Sequence, residues 1–279
     1  MTNKEILEEY FSIFELRGCS PATIRNIKYD FNQFFKILNN KHYEKITTSD
    51  IRDYLREKKK TVKLITIRNK ITVISAFFNW LANEGHIKEN PARLIQKPRV
   101  NDNERRYLTI EEIEIIRLDI TEPFDILLFE VLYSSGIRVS EAVNLDWDDI
   151  DFEKEEMVVL GKGNKKRTVK FSTKAKLLLL RYKDKRKDDD QHVFRSCYKQ
   201  RMSKETIERR VGKIGERAGI KIRITPHKLR HSFATTLAKR NTPIEVIQAL
   251  MGHEDINTTK RYIEISQENV SYNYNQAFM

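Results

Sequence analysis

DIDFEKEEMVVLGKGNKKRTVKF, Asp149–Phe171, is the stretch whose reading decides the fold class. It contains three short runs, Ile150-Asp151-Phe152, Met157-Val158-Val159-Leu160 and Arg167-Thr168-Val169-Lys170-Phe171. They are rich in β-branched and aromatic residues and separated by turn material, which is the pattern of strands joined by tight connections. Gly161-Lys162-Gly163-Asn164 supplies the second turn. A small antiparallel sheet is expected here. The sequence on either side reads as helix, so the expected class is mainly α with one small sheet (α+β).

Working outward, Thr225-Pro226 and Thr242-Pro243 each pair a capping residue with a proline suited to a first helical turn. Glu245 is spaced to close a capping box on Thr242, and Gly252 to end that helix. Thr109 with Glu112 opens another helix. The first hundred residues read as a small helical bundle. A helix is expected over residues 3–16. Ser20-Pro21 then starts a second, with Ile24, Ile27, Phe31, Phe34, Phe35 and Leu38 at helical spacing. Thr47 and Asp50 lead into Ile51, Tyr54 and Leu55, and a further helix carries Ile67, Ile71, Ile74, Phe78 and Leu81 before a stop at Gly85. Asn90-Pro91 and Gln96 to Asn103 read as polar linker. The expected organisation is a helical domain over 1–96, a linker over 97–106 and a second domain over 107–279.

With 279 residues, 39% of them hydrophobic, the chain has the means to build packed cores and is not expected to be disordered. The formal charge is +12, which fits a polyanionic partner, because cations that neutralise phosphates release condensed counterions. Residues 1–107 hold 21 basic and 13 acidic side chains, a net +8; the remainder holds 31 and 27, a net +4. The first domain is thus the more general cationic surface. The second suits a site with a few placed cations. Cys19 and Cys197 make no disulfide framework. No apolar run approaches the roughly 18 residues of a membrane helix, and MTNKEILEEY lacks the apolar core of a signal peptide. A cytosolic protein without a membrane partner is expected.

His42, His86 and His192 fall near element ends, but His227, His231 and His253 crowd into 27 positions with Arg230 among them and Tyr262 just beyond. His227 and His231 are four apart, a spacing that two zinc ligands on a helix share. Lys228 stands where a zinc hydrolase carries an acid, and Arg230 would set a cation against a divalent ion, so a metal site is disfavoured. A phosphate suits the same residues. His227 and Arg230, three apart, leave one helical turn together, and a helix N-terminus favours anions. A guanidinium offers phosphate two parallel hydrogen bonds. Taken alone, these two residues are better explained by a surface ion pair for Arg230 and a helix-capping or core role for His227.

Three segments together carry more. They are Ser134-Ser135-Gly136-Ile137-Arg138-Val139-Ser140-Glu141, then Thr225-Pro226-His227-Lys228-Leu229-Arg230-His231, then Leu250-Met251-Gly252-His253 running on to Tyr262. In this order they closely resemble the tyrosine recombinase (phage integrase-like) family, and spacing and length are most similar to its compact Xer-type members. The resemblance is strongest over 107–265. It implies a SAM-like helical core-binding domain and a catalytic domain that form a C-shaped clamp on double-stranded DNA. It implies that Tyr262 is the nucleophile, joined by Arg138, Lys162, His227, Arg230 and His253, with Glu141 supporting Arg138. His231 fits the pattern in a structural role. Lys165, Lys166 and Arg167 become candidates to touch the DNA backbone. No cofactor or metal is implied. The family further implies a homo-oligomer, a tetramer on two DNA sites, with the tail from Ser266 to Met279 on a neighbouring subunit. Chromosome dimer resolution and plasmid or mobile-element recombination are both open.

The chemistry is consistent with this. A tyrosine hydroxyl has a pKa near ~10, so about one in a thousand is ionised at neutral pH. It therefore needs cations and a base to attack an anionic phosphodiester. Three alternatives stand beside the recombinase: a type IB topoisomerase-like enzyme, a DNA-binding protein without catalysis, and a metal-dependent nuclease.

Overall fold

The computed structural model describes residues 1–99, 107–161, 165–186, 188–196, 198 and 200–252. The chain divides into two compact units, Met1–Glu104 and Arg105–Met279.

The first unit is a helical bundle built from α1 (Asn3–Leu16), α2 (Pro21–Ile37), α3 (Thr48–Lys59) and α4 (Leu64–Asn83). Local chemistry sets their starts. Thr2 with Glu5 and Thr47 with Asp50 form reciprocal capping boxes, and Ser20 caps α2 ahead of Pro21. The apolar faces meet in a core of aromatic rings. Phe31 and Phe77 lie 4.7 Å apart between centroids, and Phe34 meets Tyr54 edge-on at 4.9 Å. Gly85, at φ +79°, turns the chain out of α4 as expected.

Asn90-Pro91 differs from the linker reading. The Asn90 side-chain amide reaches Oδ1 of Asn79, Thr48 donates to the Pro91 carbonyl at 2.7 Å, and Ala92 is buried. The segment is polar in composition yet tied to the bundle by backbone acceptors, which composition does not reveal.

The second unit is α5 (Ile110–Asp119), α6 (Pro123–Ser135), α7 (Val139–Asn144), β1 (Ile150–Asp151), β2 (Glu156–Leu160), β3 (Lys166–Lys170), α8 (Thr173–Lys185), α9 (Lys204–Arg217), α10 (Pro226–Lys239) and α11 (Ile244–Met251). The strands pair antiparallel in the order β1-β2-β3, with Met157 opposite Val169 and Val159 opposite Arg167. Met157, Val159 and Val169 face the core, while Val158 and Leu160 are exposed.

Helix α6 is the centre of this unit. It is buried on nearly every side and packs against α8, α9 and α10. Two of its buried residues are acids, and each is paired. Glu130 receives a bidentate Arg117 at 2.7 and 2.9 Å and also Lys174 at 2.7 Å; Asp125 receives Arg210. A buried charge needs such partners to offset its lost hydration.

The start of α11 corrects one expectation. Pro243, not Thr242, occupies the capping position, and no side chain caps the helix. The Thr242 N–H is instead used in the turn that ends α10, donating to the Leu237 carbonyl beside Asn241 at φ +59°. The short α10–α11 connection takes Thr242 for its own closure, so no box with Glu245 forms. Gly252 does end α11, at φ +57°.

Candidate active site

Two backbone events place the site residues. Gly136 ends α6 with φ +62°, and a Cβ there would collide with the Phe233 ring, so only glycine turns the chain at this point. Buried Ile137 follows, and Arg138 then becomes the residue before α7. On the other side, Thr225 caps α10 by accepting from the Lys228 N–H, and Pro226 fills the first turn. This sets His227 exposed on the first turn and Arg230 buried one turn on. Ser232 fixes the helix by accepting from the Leu108 N–H at 2.8 Å.

Arg230 binds the C-terminal ends of two helices at once. Its guanidinium donates from Nη1 to the Gly136 carbonyl, at the end of α6, and from Nη2 to the Met251 carbonyl, in the last turn of α11. Helix C-termini carry orphan carbonyls and the negative end of the macrodipole, so a cation is favoured there. Arg138 reaches the next carbonyl, donating from Nη2 to Gly252 at 3.3 Å. Arg138 and Arg230, 92 positions apart in sequence, thus converge on adjacent peptide units.

Glu141 organises the other side. Its side chain has no solvent exposure. One oxygen accepts from Arg138 Nη1 at 2.8 Å and the other from the Arg138 backbone N–H at 2.6 Å. Arg167, from β3, also binds both oxygens, with Nη2 at 2.9 Å from Oε2. Burial alone would raise the carboxyl pKa; the hydrogen bonds and charges of Arg167 and Arg138 outweigh it and hold the group below its usual value.

Of the three cations after the hairpin turn, Lys165 and Lys166 are exposed. Arg167, expected with them to face DNA, is directed inward onto Glu141 with its side chain only 16% exposed. Strand alternation is the reason: Arg167 shares a face with buried Val169. That same parity was the signal in the sequence for the role of Arg167 inside the fold. His231 is half-buried, its ring 6.2 Å from that of His227. Lys162, His253 and Tyr262 lie outside the described residues, as do Cys197 and the tail from Ser266 to Met279. Among the described residues no cluster of three or more His, Cys, Asp or Glu could hold a metal, and no helix is long and apolar enough to cross a membrane.

Residues 107–269 match the model of the phage integrase family, and residues 7–85 match that of the phage integrase N-terminal SAM-like domain. The chain is 31% identical to tyrosine recombinase XerC of Haemophilus influenzae, over 97% of this chain and 96% of that protein. It is 32% identical to tyrosine recombinase XerA of Pyrococcus horikoshii, over 97% and 92%. Among solved structures, a XerA recombinase aligns with TM-score 0.55 at 26% identity, over 98% of both chains. A lambda integrase (75–356) dimer bound to a COC′ core site shares the fold, with TM-score 0.77 at 22% identity over 91% of this chain and 96% of that one. The chain belongs to the phage integrase family. It is a tyrosine recombinase, an enzyme of site-specific DNA recombination.

Proposed function

We propose that this recombinase cuts and rejoins double-stranded DNA through a 3′-phosphotyrosyl bond to Tyr262. The observation that carries the proposal is the convergence of Arg138 and Arg230 on the carbonyls of Gly252 and Met251. Two guanidiniums are thereby brought to the end of α11, immediately before the segment that holds His253 and Tyr262.

The chemistry follows from those residues. Arg138 and Arg230 bind the non-bridging oxygens of the scissile phosphate and gain strength as charge develops in the transition state. The Tyr262 hydroxyl attacks phosphorus, forming the P–O bond to the enzyme, and its proton passes to His227. The bond from phosphorus to the 5′-oxygen breaks, and Lys162 gives that oxygen a proton. His253 hydrogen-bonds the phosphate. The ester conserves the energy of the broken bond, so a 5′-hydroxyl from a second strand can reverse the step and complete the exchange.

Residues 1–96 serve in this reading as the DNA-binding domain, 97–106 as the linker and 107–279 as the catalytic domain. The net +8 of residues 1–107 supports a backbone-tracking role. Exposed Lys165 and Lys166 touch the DNA backbone. The active form is a tetramer on two sites, in a Xer-type role in chromosome dimer resolution or in plasmid or mobile-element recombination. The similarity to XerC and XerA over nearly the whole chain supports the Xer assignment.

The test is covalent capture. The protein is incubated with nicked duplexes bearing a randomised central segment, and adducts surviving SDS are recovered and sequenced. An adduct with a defined consensus is expected, and none with Tyr262→Phe. Relaxation of supercoils without joining of two DNAs would favour the topoisomerase-like alternative. An adduct that persists in the Tyr262→Phe chain would overturn the assignment.

A further inference from the structure

We infer that Arg167 is a positioning residue: it is the counter-cation of Glu141, and it keeps the charge of Arg138 available to the phosphate. The inference rests on the catalytic reading above, in which Arg138 contacts the scissile phosphate.

The argument begins with an electrostatic conflict. Arg138 must be held in one orientation, and Glu141 does this through two hydrogen bonds, one to the guanidinium and one to the backbone N–H. A lone carboxylate with no solvent exposure, however, would nearly cancel the charge of the arginine it holds. An anion approaching a neutral ion pair gains little. Arg167 resolves the conflict. It binds both oxygens of the same carboxylate, so the three groups together carry a net charge of +1. Arg138 is the more exposed of the two cations, its side chain 36% exposed against 16% for Arg167. The excess charge therefore emerges at Arg138.

A second observation comes from the other face of Arg167. Its side chain lies across Gly252, where a Cβ would collide with Cδ and Nε. The Gly252 carbonyl is also the acceptor for Arg138. Arg167 thus touches both groups that orient Arg138, the carboxylate on α7 and the peptide unit that ends α11. It acts from β3. Among the described residues its Nε–H is buried with no hydrogen-bond partner. Both terminal nitrogens of its guanidinium are engaged by Glu141.

The experiment is a charge cycle. Duplexes captured by the wild-type chain are used in single-turnover cleavage at saturating protein, with separate measurement of DNA affinity, for Arg167→Gln, Glu141→Gln and the double variant. Arg167→Gln is expected to slow cleavage about tenfold or more while DNA affinity changes less than about threefold. The double variant removes the uncompensated carboxylate and is expected to cleave faster than Arg167→Gln alone. Arg167→Lys is expected to recover part of the rate, since it restores charge without the fork. A double variant as slow as or slower than Arg167→Gln, with all chains folded by circular dichroism, overturns the inference. So does a loss of affinity equal to the loss of rate, which would make Arg167 a DNA contact. A second arm uses inorganic phosphate as the probe, titrated by calorimetry against wild type, Arg167→Gln, Glu141→Gln and the double variant. It expects the same order, with weakest binding by Arg167→Gln. If the wild-type chain forms no adduct, the catalytic reading fails, and the phosphate arm still decides whether Arg167 frees the charge of Arg138.

Discussion

Arg230 donates to the carbonyl of Met251, 21 positions later, and so fastens the last turn of α11 to the start of α10. The same guanidinium holds the Gly136 carbonyl at the end of α6. A residue assigned to phosphate chemistry is therefore also a structural clasp. Its removal has two separable effects.

Arg230→Ala leaves two carbonyls without their donor. The expected loss of stability is about 1–3 kcal/mol in urea unfolding of the full chain, the cost of unsatisfied buried acceptors. Adduct formation is expected to vanish even at temperatures where the variant is fully folded. Arg230→Lys can serve one carbonyl but not both, and should recover part of the stability with little of the cleavage. An Arg230→Ala chain as stable as wild type would show that the clasp contributes nothing.

Glu141 predicts an acid-side instability. Its carboxyl sits below the usual 4.5 in the folded chain because Arg167 and Arg138 hold the ionised form against burial. A depressed folded pKa means that the folded state binds the proton more weakly than the unfolded chain does. The contribution is therefore complete above about pH 4.5 and is lost as pH falls through the lower folded value. Thermal midpoints measured from pH 7 down to pH 3 should fall less steeply for Glu141→Gln than for wild type. Equal slopes would exclude Glu141 as a source of the acid sensitivity.

Much of this was legible in the sequence, and the limits have physical reasons. Capping boxes at Thr47 and Thr109 were readable because cap and partner lie three residues apart. The hairpin was readable because β-branched runs alternate between turn residues. The Gly136–Arg138 turn could be read as a turn, but not its dependence on Phe233, 97 positions later, which fills the space a Cβ would need. Arg167 followed two lysines and resembled a solvated turn cation. Its partner Glu141 is 26 positions away on another element, and only the shared parity with Val169 hinted at an inward side chain. Thr242 failed as a cap because the preceding helix claimed its N–H, a competition that local spacing does not show. Local hydrogen bonds are written in short spacings, and long-range charge pairs are not.

Gly136→Ala tests the turn that sets Arg138. The substitution meets both a left-handed φ of +62° and the Phe233 ring. A destabilisation of more than about 1 kcal/mol is expected from the backbone alone. Phe233→Leu in the same chain should relieve the steric part and leave the conformational part, so the double variant recovers only some of the loss. Complete recovery would mean that the positive φ carries no cost here.

Phe77→Ala separates the two compact units. Phe77 is fully buried, 4.7 Å from Phe31 and 5.1 Å from Tyr10 between ring centroids. Truncating such a ring removes its transfer energy and leaves a cavity that neighbouring aromatics cannot fill, at a cost of about 3–5 kcal/mol. The core of Met1–Glu104 is made of its own residues, and that of the second unit is likewise its own. Calorimetry should therefore show the transition of the first unit moving to much lower temperature while that of the second stays. DNA affinity should fall with it, because the first unit, with 19 basic and 13 acidic side chains, carries half of the cationic excess of the chain. Phe77→Leu keeps most of the volume and should produce a smaller shift in the same transition. Equal displacement of both transitions would refute independent cores, and undiminished affinity with the first unit melted would move DNA binding to the second.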